Sequence, residues 1–208
     1  VYVDLGTVDE YAIWVKGINF VNITDAELDN TTYESAENKF LANDIPKAIE
    51  GFKKYIQAFP EGLHALQANF YLAQLLVKTN LEEEAIANYQ YVLALPQSEF
   101  SEEALNKLSQ ILLEKEQWAT AIPLLERLEQ EANLPLNIVY AQSNLMKGYY
   151  QSQEYNKAVN YAEKILLQDK IDAIVEYDAK IIIARSAFQT EDLPKAEEFY
   201  TEVERNAN

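Results

Sequence analysis

Cysteine is absent from this chain of 208 residues, and histidine occurs only once. The lack of Cys excludes disulfides, thiolate metal sites and cysteine nucleophiles. Any Ser-His-Asp triad or histidine metal site would have to use His64, which lies at a predicted helix start. We therefore expect His64 to have a surface or capping role, and we predict no catalytic residue in this chain.

Glycine and proline are scarce as well, with 5 and 6 residues. So little punctuation argues against an all-β fold with many turns. Hydrophobic residues make up 49% of the chain and charged residues 25%, which is typical of a globular protein. No apolar run approaches the ~20 residues of a membrane span, so we expect no membrane insertion in this segment.

Basic residues are outnumbered two to one, with 17 Lys and Arg against 34 Asp and Glu, for a net charge of −17. An acidic surface repels phosphate backbones, so nucleic acid is not an expected partner. The charge is best explained by solubility, with a basic partner as the alternative. No Gly-rich phosphate loop, HExxH or EF-hand pattern occurs, and we therefore predict no cofactor and no metal.

One pattern built on an alanine recurs five times. In most copies a large residue precedes the alanine by three positions and another follows it by four, as Ile45 and Phe52 do around Ala48. The copies lie about 37 residues apart, a period typical of helical repeat proteins. A second position twelve residues upstream is usually small, which lets two helices approach closely. The alanines are Ala48, Ala85, Ala121, Ala158 and Ala196, and the upstream residues are Ala36, Ala73, Ser109, Met146 and Ala184.

Each copy is predicted to be a helical hairpin, with a first helix A and a second helix B, because its apolar residues follow the helical period. Prolines fit this division, since Pro60 and Pro96 end B helices, whereas Pro123 falls inside one and is expected to bend it. Ser101 is a candidate N-cap. The A helices are predicted near 31–42, 63–79, 101–115, 136–152 and 172–189, and the B helices near 46–59, 82–95, 117–131, 155–167 and 193–205.

The stretch YLAQLLVKTNLEEEAIANYQYVLALP, with its aromatic, small and terminal Pro positions, resembles the tetratricopeptide repeat (TPR) family. The resemblance implies an all-α, right-handed superhelical solenoid of antiparallel helix hairpins, with about five full repeats and a partial N-terminal one. The repeats would lie near 31–62, 63–98, 99–134, 135–170 and 171–208, after a partial repeat and connector in 1–30. The units are slightly longer than the usual 34 residues.

The two ends suggest a longer array. LGTVDEYAIWV matches a hairpin turn and a B helix, so Val1 would lie inside an A helix, and 17–30 would be a connector. Phe199, Tyr200 and Val203 line the last predicted helix, and no polar capping helix follows. We expect this chain to be a segment of a longer protein. The competing explanation is that an exposed end pairs with a second copy.

In TPR proteins the A helices line a concave groove that holds a peptide or a helix, and the resemblance implies the same here. Aromatic rings would supply contact area, and amides would bond a peptide backbone. The alternative, which we weigh equally for each ring, is packing against the next hairpin. The predicted groove residues are Tyr33, Glu37, Phe40, Gln67, Phe70, Gln74, Asn106, Gln110, Tyr140, Lys147, Tyr150, Arg185 and Phe188.

The favoured function is a non-catalytic scaffold that binds another protein or peptide. Phe70, Tyr140, Tyr150 and Phe188 are its expected anchors, provided that they are exposed. The stretch that begins with FPEG is similar to TPR proteins of the bacterial cell envelope, and this similarity favours the periplasm or envelope over the cytoplasm. The alternatives are carbohydrate or small-ligand binding on aromatic rings, and a regulatory segment of a larger enzyme. The cationic clamp of chaperone-adaptor TPRs is absent, so chaperone tails are not implied.

Overall fold

The computed structural model describes residues 25–168 and 171–206, and this part of the chain is all-α. It divides into two compact units, unit 1 ending at Leu72 and unit 2 beginning at Ala73, inside the third helix. The helices are α1 (Asp25–Leu41), α2 (Ile45–Ala58), α3 (Ala65–Lys78), α4 (Glu82–Ala94), α5 (Ser101–Glu114), α6 (Trp118–Glu131), α7 (Pro135–Gln151), α8 (Tyr155–Leu166), α9 (Ala173–Gln189) and α10 (Leu193–Asn206).

The helices alternate as the sequence predicts, with odd-numbered A helices and even-numbered B helices. Nine of the ten begin and end within two residues of the predicted limits. Within unit 2, consecutive helices from α4 to α10 pack against each other, and α7 also packs against α9. The prediction of a helical-repeat fold is therefore confirmed. Within the described ranges, no helix is both long enough and apolar enough to cross a membrane.

The first helix corrects one prediction, because residues 25–30 are helical and not part of a connector. The cause is a buried polar contact inside unit 1. Asp29 is 5% exposed and accepts hydrogen bonds from the Tyr55 hydroxyl at 2.6 Å and from the Leu63 N–H at 2.8 Å. The Tyr55 oxygen in turn accepts from the His64 N–H at 2.9 Å. The rest of the predicted partial repeat, residues 1–24, lies outside the described residues.

The repeated small residues lie where helices approach each other. All five anchor alanines are buried, and so are the five residues twelve positions upstream of them. In unit 1, α1 and α2 approach each other closely at Gly51 of α2, where an added Cβ would lie 2.8 Å from the Cβ of Ala36 in α1. Met146 is the one large upstream residue, and it is fully buried. At Ala36, a small residue thus lets two helices approach closely, as the sequence predicts.

A left-handed residue follows each of the five A helices. Its N–H donates to the carbonyl three residues back, and the next N–H donates to the carbonyl five residues back from itself, as Asp44 does to Lys39 at 2.9 Å. This is the hydrogen-bond pattern of a Schellman C-cap. Each left-handed residue lies five positions before an anchor alanine. The residues are Asn43, Asn80, Glu116, Gln153 and Glu191, with φ from 55° to 62°.

Glycine at Glu116 or Gln153 is expected to raise the free energy of unfolding by about 0.5–1 kcal/mol, because a Cβ disfavours left-handed backbone. Urea titration followed by far-UV circular dichroism measures the change. Asn43→Gly is the control and should shift stability less, since Asn tolerates this conformation. If both test variants were less stable than the parent, strain from a Cβ in left-handed backbone would not be the main cost at these positions.

One detail of a helix terminus differs from prediction. Ser101 is the first residue of α5 and not its N-cap, and its Oγ accepts a hydrogen bond from the Ser98 N–H at 2.9 Å. Its hydroxyl therefore closes the turn before the helix instead of capping it. Pro123 does lie inside α6, which continues through it from Trp118 to Glu131. The helix absorbs a missing N–H there, because its other hydrogen bonds and the buried Leu125 and Leu128 hold it in place.

Glu102, in the first turn of α5, is hydrogen-bonded to the start of α7 and to the two residues before it. Its carboxylate accepts hydrogen bonds from the N–H groups of Asn133 and Leu134, at 2.9 and 3.0 Å, and from Asn137 Nδ2 at 2.7 Å. Partial burial on its own raises the pKa of Glu102, but these hydrogen bonds to the charged form outweigh it and lower the pKa below the ordinary value of 4.5. The charged carboxylate therefore stabilises the folded chain.

The stabilisation from Glu102 is expected to be lost in acid. Because its pKa is lower in the folded state, the contribution is present above pH 4.5 and disappears as the pH falls through the folded-state pKa. Glu102→Gln should therefore be less stable than the parent at pH 7, by about 1–2 kcal/mol, and close to it in more acidic buffer. Urea titrations at several pH values measure this, with exposed Glu99→Gln as control. A difference that stays constant with pH would contradict the prediction.

Candidate functional site

In unit 1, the predicted groove residues of α1 lie largely in packed positions. Tyr33 is 4% exposed, its ring stacks on His64 at 4.2 Å, and its hydroxyl donates to Glu37 Oε1 at 2.9 Å. Burial, followed by the hydrogen bond to Glu37, raises the pKa of Tyr33 far above its usual range. Phe40 is half-buried and stacks on Tyr71 with a centroid distance of 4.9 Å. Tyr33 therefore serves the core and not an open groove.

His64 was expected to have a surface or capping role, and the structure instead places its ring in packing contacts within unit 1. It is half-buried, its ring stacks on Tyr33, and its Nε2 lies 2.7 Å from Asn30 Oδ1. Its ring links the start of α3 to α1, and its N–H, which donates to the Tyr55 hydroxyl, links it to α2 within unit 1. Among the described residues no cluster of three His, Asp or Glu side chains could hold a metal ion.

The predicted residues of α3 divide by depth. Phe70 is 4% exposed and lies 5.8 Å from the Tyr71 ring, so it does not meet the exposure required of an anchor. The prediction of Phe70 as a contact anchor is therefore corrected, because a buried ring fills core volume and offers no contact area to a partner. Gln67 is half-buried. In unit 2, Gln74 Nε2 donates to Glu103 Oε1 of α5 at 2.7 Å.

Helix α5 also presents amides that already have partners. Asn106 Nδ2 donates to Asn137 Oδ1 of α7 at 2.9 Å, which adds to the cluster around Glu102. Gln110 Oε1 accepts a hydrogen bond from Lys107 at 3.4 Å. The side chains of Gln74, Asn106 and Gln110 thus already have partners within unit 2.

The remaining predicted residues lie on α7 and α9, and three of them meet at one pocket. The pocket has a volume of about 240 Å³ and an opening between the two A helices. Lys147 and Tyr150 contribute from α7, and Arg185 contributes from α9. Its full lining is Trp118, Lys147, Tyr150, Gln151, Asp178, Ile181, Ile182 and Arg185. We refer to it as the α7–α9 pocket.

The α7–α9 pocket combines charge with apolar walls. Lys147 Nζ lies 2.6 Å from Asp178 Oδ2, an ion pair that joins the two helices. Arg185 is exposed and makes no ion pair with any residue in 25–168 or 171–206. Tyr150 is half-buried, with its ring 5.7 Å from that of Tyr155 and tilted by 59°. The pocket therefore carries one excess positive charge in a chain of net charge −17.

The other two predicted residues flank this region. Tyr140, at the first half of α7, is half-buried, and burial raises the pKa of its hydroxyl. Phe188, one turn after Arg185, is 57% exposed. Of the four expected anchors, Phe188 is therefore exposed, Tyr140 and Tyr150 are half-buried, and Phe70 is buried.

The structure adds pocket residues that the sequence reasoning missed. Trp118 begins α6, a B helix, so the assumption that A helices alone line the site left it out. Asp178 and Ile181 lie about two turns and one turn before Arg185 on α9. The sequence did contain a signal for Asp178. It precedes Arg185 by seven residues, or about two helical turns, so the two share one face of the helix.

Antiparallel A and B helices, repeated with a left-handed turn and a small contact residue in each copy, define a helical-repeat protein. A family model for the tetratricopeptide repeat-like domain matches residues 13–136. The chain therefore belongs to the tetratricopeptide repeat-like family. No curated protein matches the sequence.

Solved structures with a similar fold share little sequence with this chain. YrrB, described as a TPR protein with an unusual peptide-binding site, is 17% identical with a TM-score of 0.60, over 83% of this chain and 82% of that one. A MamA structure is 20% identical with a TM-score of 0.55, over 85% and 90%. A tetratricopeptide repeat protein from Parabacteroides merdae is 16% identical with a TM-score of 0.58, over 86% and 66%. These likenesses show the fold.

Proposed function

We propose that this chain is a non-catalytic scaffold that binds a segment of another protein at the α7–α9 pocket. The observation that carries the proposal is the meeting of Lys147, Tyr150 and Arg185, from two helices, around one opening. Aromatic and Arg side chains dominate the energetics of protein interfaces, because they bury large areas and form directed hydrogen bonds. The membership in the TPR-like family and the peptide-binding site named for YrrB support the same role.

The contact surface in this proposal includes fewer residues than the groove predicted from the sequence. Tyr33 and Phe70 are buried, and the amides of Gln74 and Asn106 already bond to other helices. The contact surface that we propose is therefore confined to α7 and α9, with Trp118 of α6 at its edge.

Site-specific photo-crosslinking tests the proposal in the source cells. A photoreactive phenylalanine analogue at Gln151, which lines the pocket, should form a crosslink to one protein that mass spectrometry can identify. The same analogue at exposed Asn156 of α8 is the matched control. Tyr150→Ala in the Gln151 chain should reduce the crosslink at least five-fold. Equal crosslinking at both positions, or no effect of Tyr150→Ala, would reject the pocket as the binding site.

We further propose that the scaffold acts in a bacterial envelope complex. The support is the resemblance of its repeats to envelope TPR proteins. Osmotic-shock fractionation of the source bacterium, followed by immunoblotting, tests this location. Recovery of the protein with cytoplasmic markers would reject the envelope location and leave the proposed pocket unaffected.

A further inference from the structure

Helix α9 carries an exposed apolar stripe in addition to its buried face. Ile174, Tyr177 and Phe188 are 72%, 47% and 57% exposed, and half-buried Ile181 lies between them. With Arg185, they follow one another at steps of three and four residues and so share one face. The stripe extends about 21 Å along the helix axis. We call these five residues the α9 stripe.

The opposite face of α9 is already packed. Its buried residues are Ala179, Ile182, Ile183, Ala184, Ser186 and Ala187. The α9 stripe is therefore a second apolar face on a helix whose first apolar face is already covered. An exposed apolar patch of this kind is typical of an interaction surface.

The packing of α9 on α7 shows how this repeat receives a helix. Lys147 follows the buried contact residue Met146 in α7 and forms an ion pair with Asp178, near the start of α9. Arg185 has the same place in α9, directly after Ala184. Gln74 repeats the arrangement, because it follows Ala73 and donates to Glu103 of α5. An acidic side chain on an incoming helix therefore has a defined position opposite Arg185.

We propose that the α9 stripe binds an amphipathic α-helix of a partner protein that places a carboxylate against Arg185. This inference rests on the proposed function and specifies the partner segment. A helix fits better than an extended peptide for two reasons. The stripe follows one helix axis, and the amides that would bond a peptide backbone across α3 and α5 are engaged by Glu103 and Asn137. Binding of a helix in this way uses apolar anchors at helical spacing.

Charge also favours this occupant. The five stripe residues include no carboxylate, although the whole chain has 34 Asp and Glu residues. Arg185 makes no ion pair within the described residues, and its guanidinium can bond a carboxylate through two N–H groups. An acidic helix meets a cation here, whereas most of the surface would repel it.

The test uses α9 itself as a stand-in for the partner helix, because one of its carboxylates is seen to pair with a cation. Residues 172–190, which include all of α9, are displayed on a monomeric carrier protein, because their Asp178 already pairs with a cation in Lys147. Biolayer interferometry measures binding to the 208-residue chain and to its Arg185→Glu and Ile181→Glu variants. We expect each substitution to weaken binding at least ten-fold. Arg205→Glu, on exposed Arg205 of α10, is the control for net charge and should change binding less than two-fold.

A charge exchange sharpens the test. Asp178→Lys in the displayed helix should weaken binding to the parent chain and restore at least part of the affinity for Arg185→Glu. Circular dichroism melts confirm that each variant folds. The inference would be overturned if the displayed helix did not bind the parent chain, or if it bound the Arg185→Glu and Ile181→Glu variants as tightly as the parent. The Gln151 crosslink of the proposed function could still form in either case. A concentration-dependent dimer that Ile181→Glu abolishes would assign the stripe to a second copy and overturn it too.

Discussion

Asp29→Ala is expected to lower the free energy of unfolding by about 3 kcal/mol. The substitution removes the acceptor for the Tyr55 hydroxyl and the Leu63 N–H, which bond to Asp29 at 2.6 and 2.8 Å in a site where Asp29 is 5% exposed. Buried donors without partners cost about 1–3 kcal/mol each, and partial relaxation reduces the sum. Urea unfolding followed by far-UV circular dichroism measures the loss.

Two variants separate this effect from a general loss of helix. Exposed Glu34→Ala, on the same helix, should change stability by less than about 0.5 kcal/mol. Tyr55→Phe removes the hydroxyl that donates to Asp29 and accepts from the His64 N–H, so it should be destabilising as well. If Asp29→Ala is no worse than Glu34→Ala, the buried contact does not hold α1 in place.

Gly51→Ala is expected to lower stability by about 2 kcal/mol, although the same change in an exposed helix interior raises it by up to about 1 kcal/mol. The reversed sign follows from the close approach of α1 and α2. The new Cβ would lie 2.8 Å from the Cβ and 3.0 Å from the Cα of Ala36. One of these contacts involves backbone, so the two helices would have to separate.

A double-mutant cycle tests the cause. Ala36→Gly removes the nearer of the two atoms, so Gly51→Ala should cost at least about 1 kcal/mol less in that background. Gly148→Ala is a milder comparison, because its nearest neighbour is the side-chain Cγ1 of Ile122 at 3.1 Å. Additive losses from the Ala36 and Gly51 substitutions would show that the helices do not clash there.

The sequence was sufficient to predict the helices because each repeat carries several independent signals. Pro60 and Pro96 lie just after B helices, the anchor alanines have a nearly constant spacing, and apolar residues follow the helical period. Agreement among such signals specifies a fold more firmly than any one of them. The repeat limits, from 31–62 to 171–208, stay predictions, since helix positions alone do not define them.

The start of α1 could not be predicted from local pattern. Residues 25–30 lack an apolar helical period, and the residue that fixes them, Asp29, is polar. Its partners lie in Tyr55 and Leu63, which are distant in sequence. A single buried carboxylate leaves no periodic trace, because its effect depends on donors that only the folded hairpin supplies.

The residues of the candidate pocket were predicted in part. Register alone placed Lys147, Tyr150 and Arg185 on A helices, and they line one pocket. Register could not decide which rings are buried. Phe40, Tyr150 and Phe188 each lie four residues after the upstream small position of their repeat, but Phe40 and Tyr150 are half-buried and Phe188 is 57% exposed. Exposure depends on what the neighbouring helices cover. Trp118 was missed because it comes from a B helix.

The five identical left-handed turns give the protein interchangeable joints. Each joint has one residue with φ between 55° and 62°, the same two hydrogen bonds and the same offset to the following alanine. A recombination event that exchanges one hairpin for another at these joints would preserve the local geometry on both sides of the crossover. Homologues that differ by whole hairpins, gained or lost at positions equivalent to Asn80, Glu116 or Gln153, are the evolutionary record that this architecture would leave.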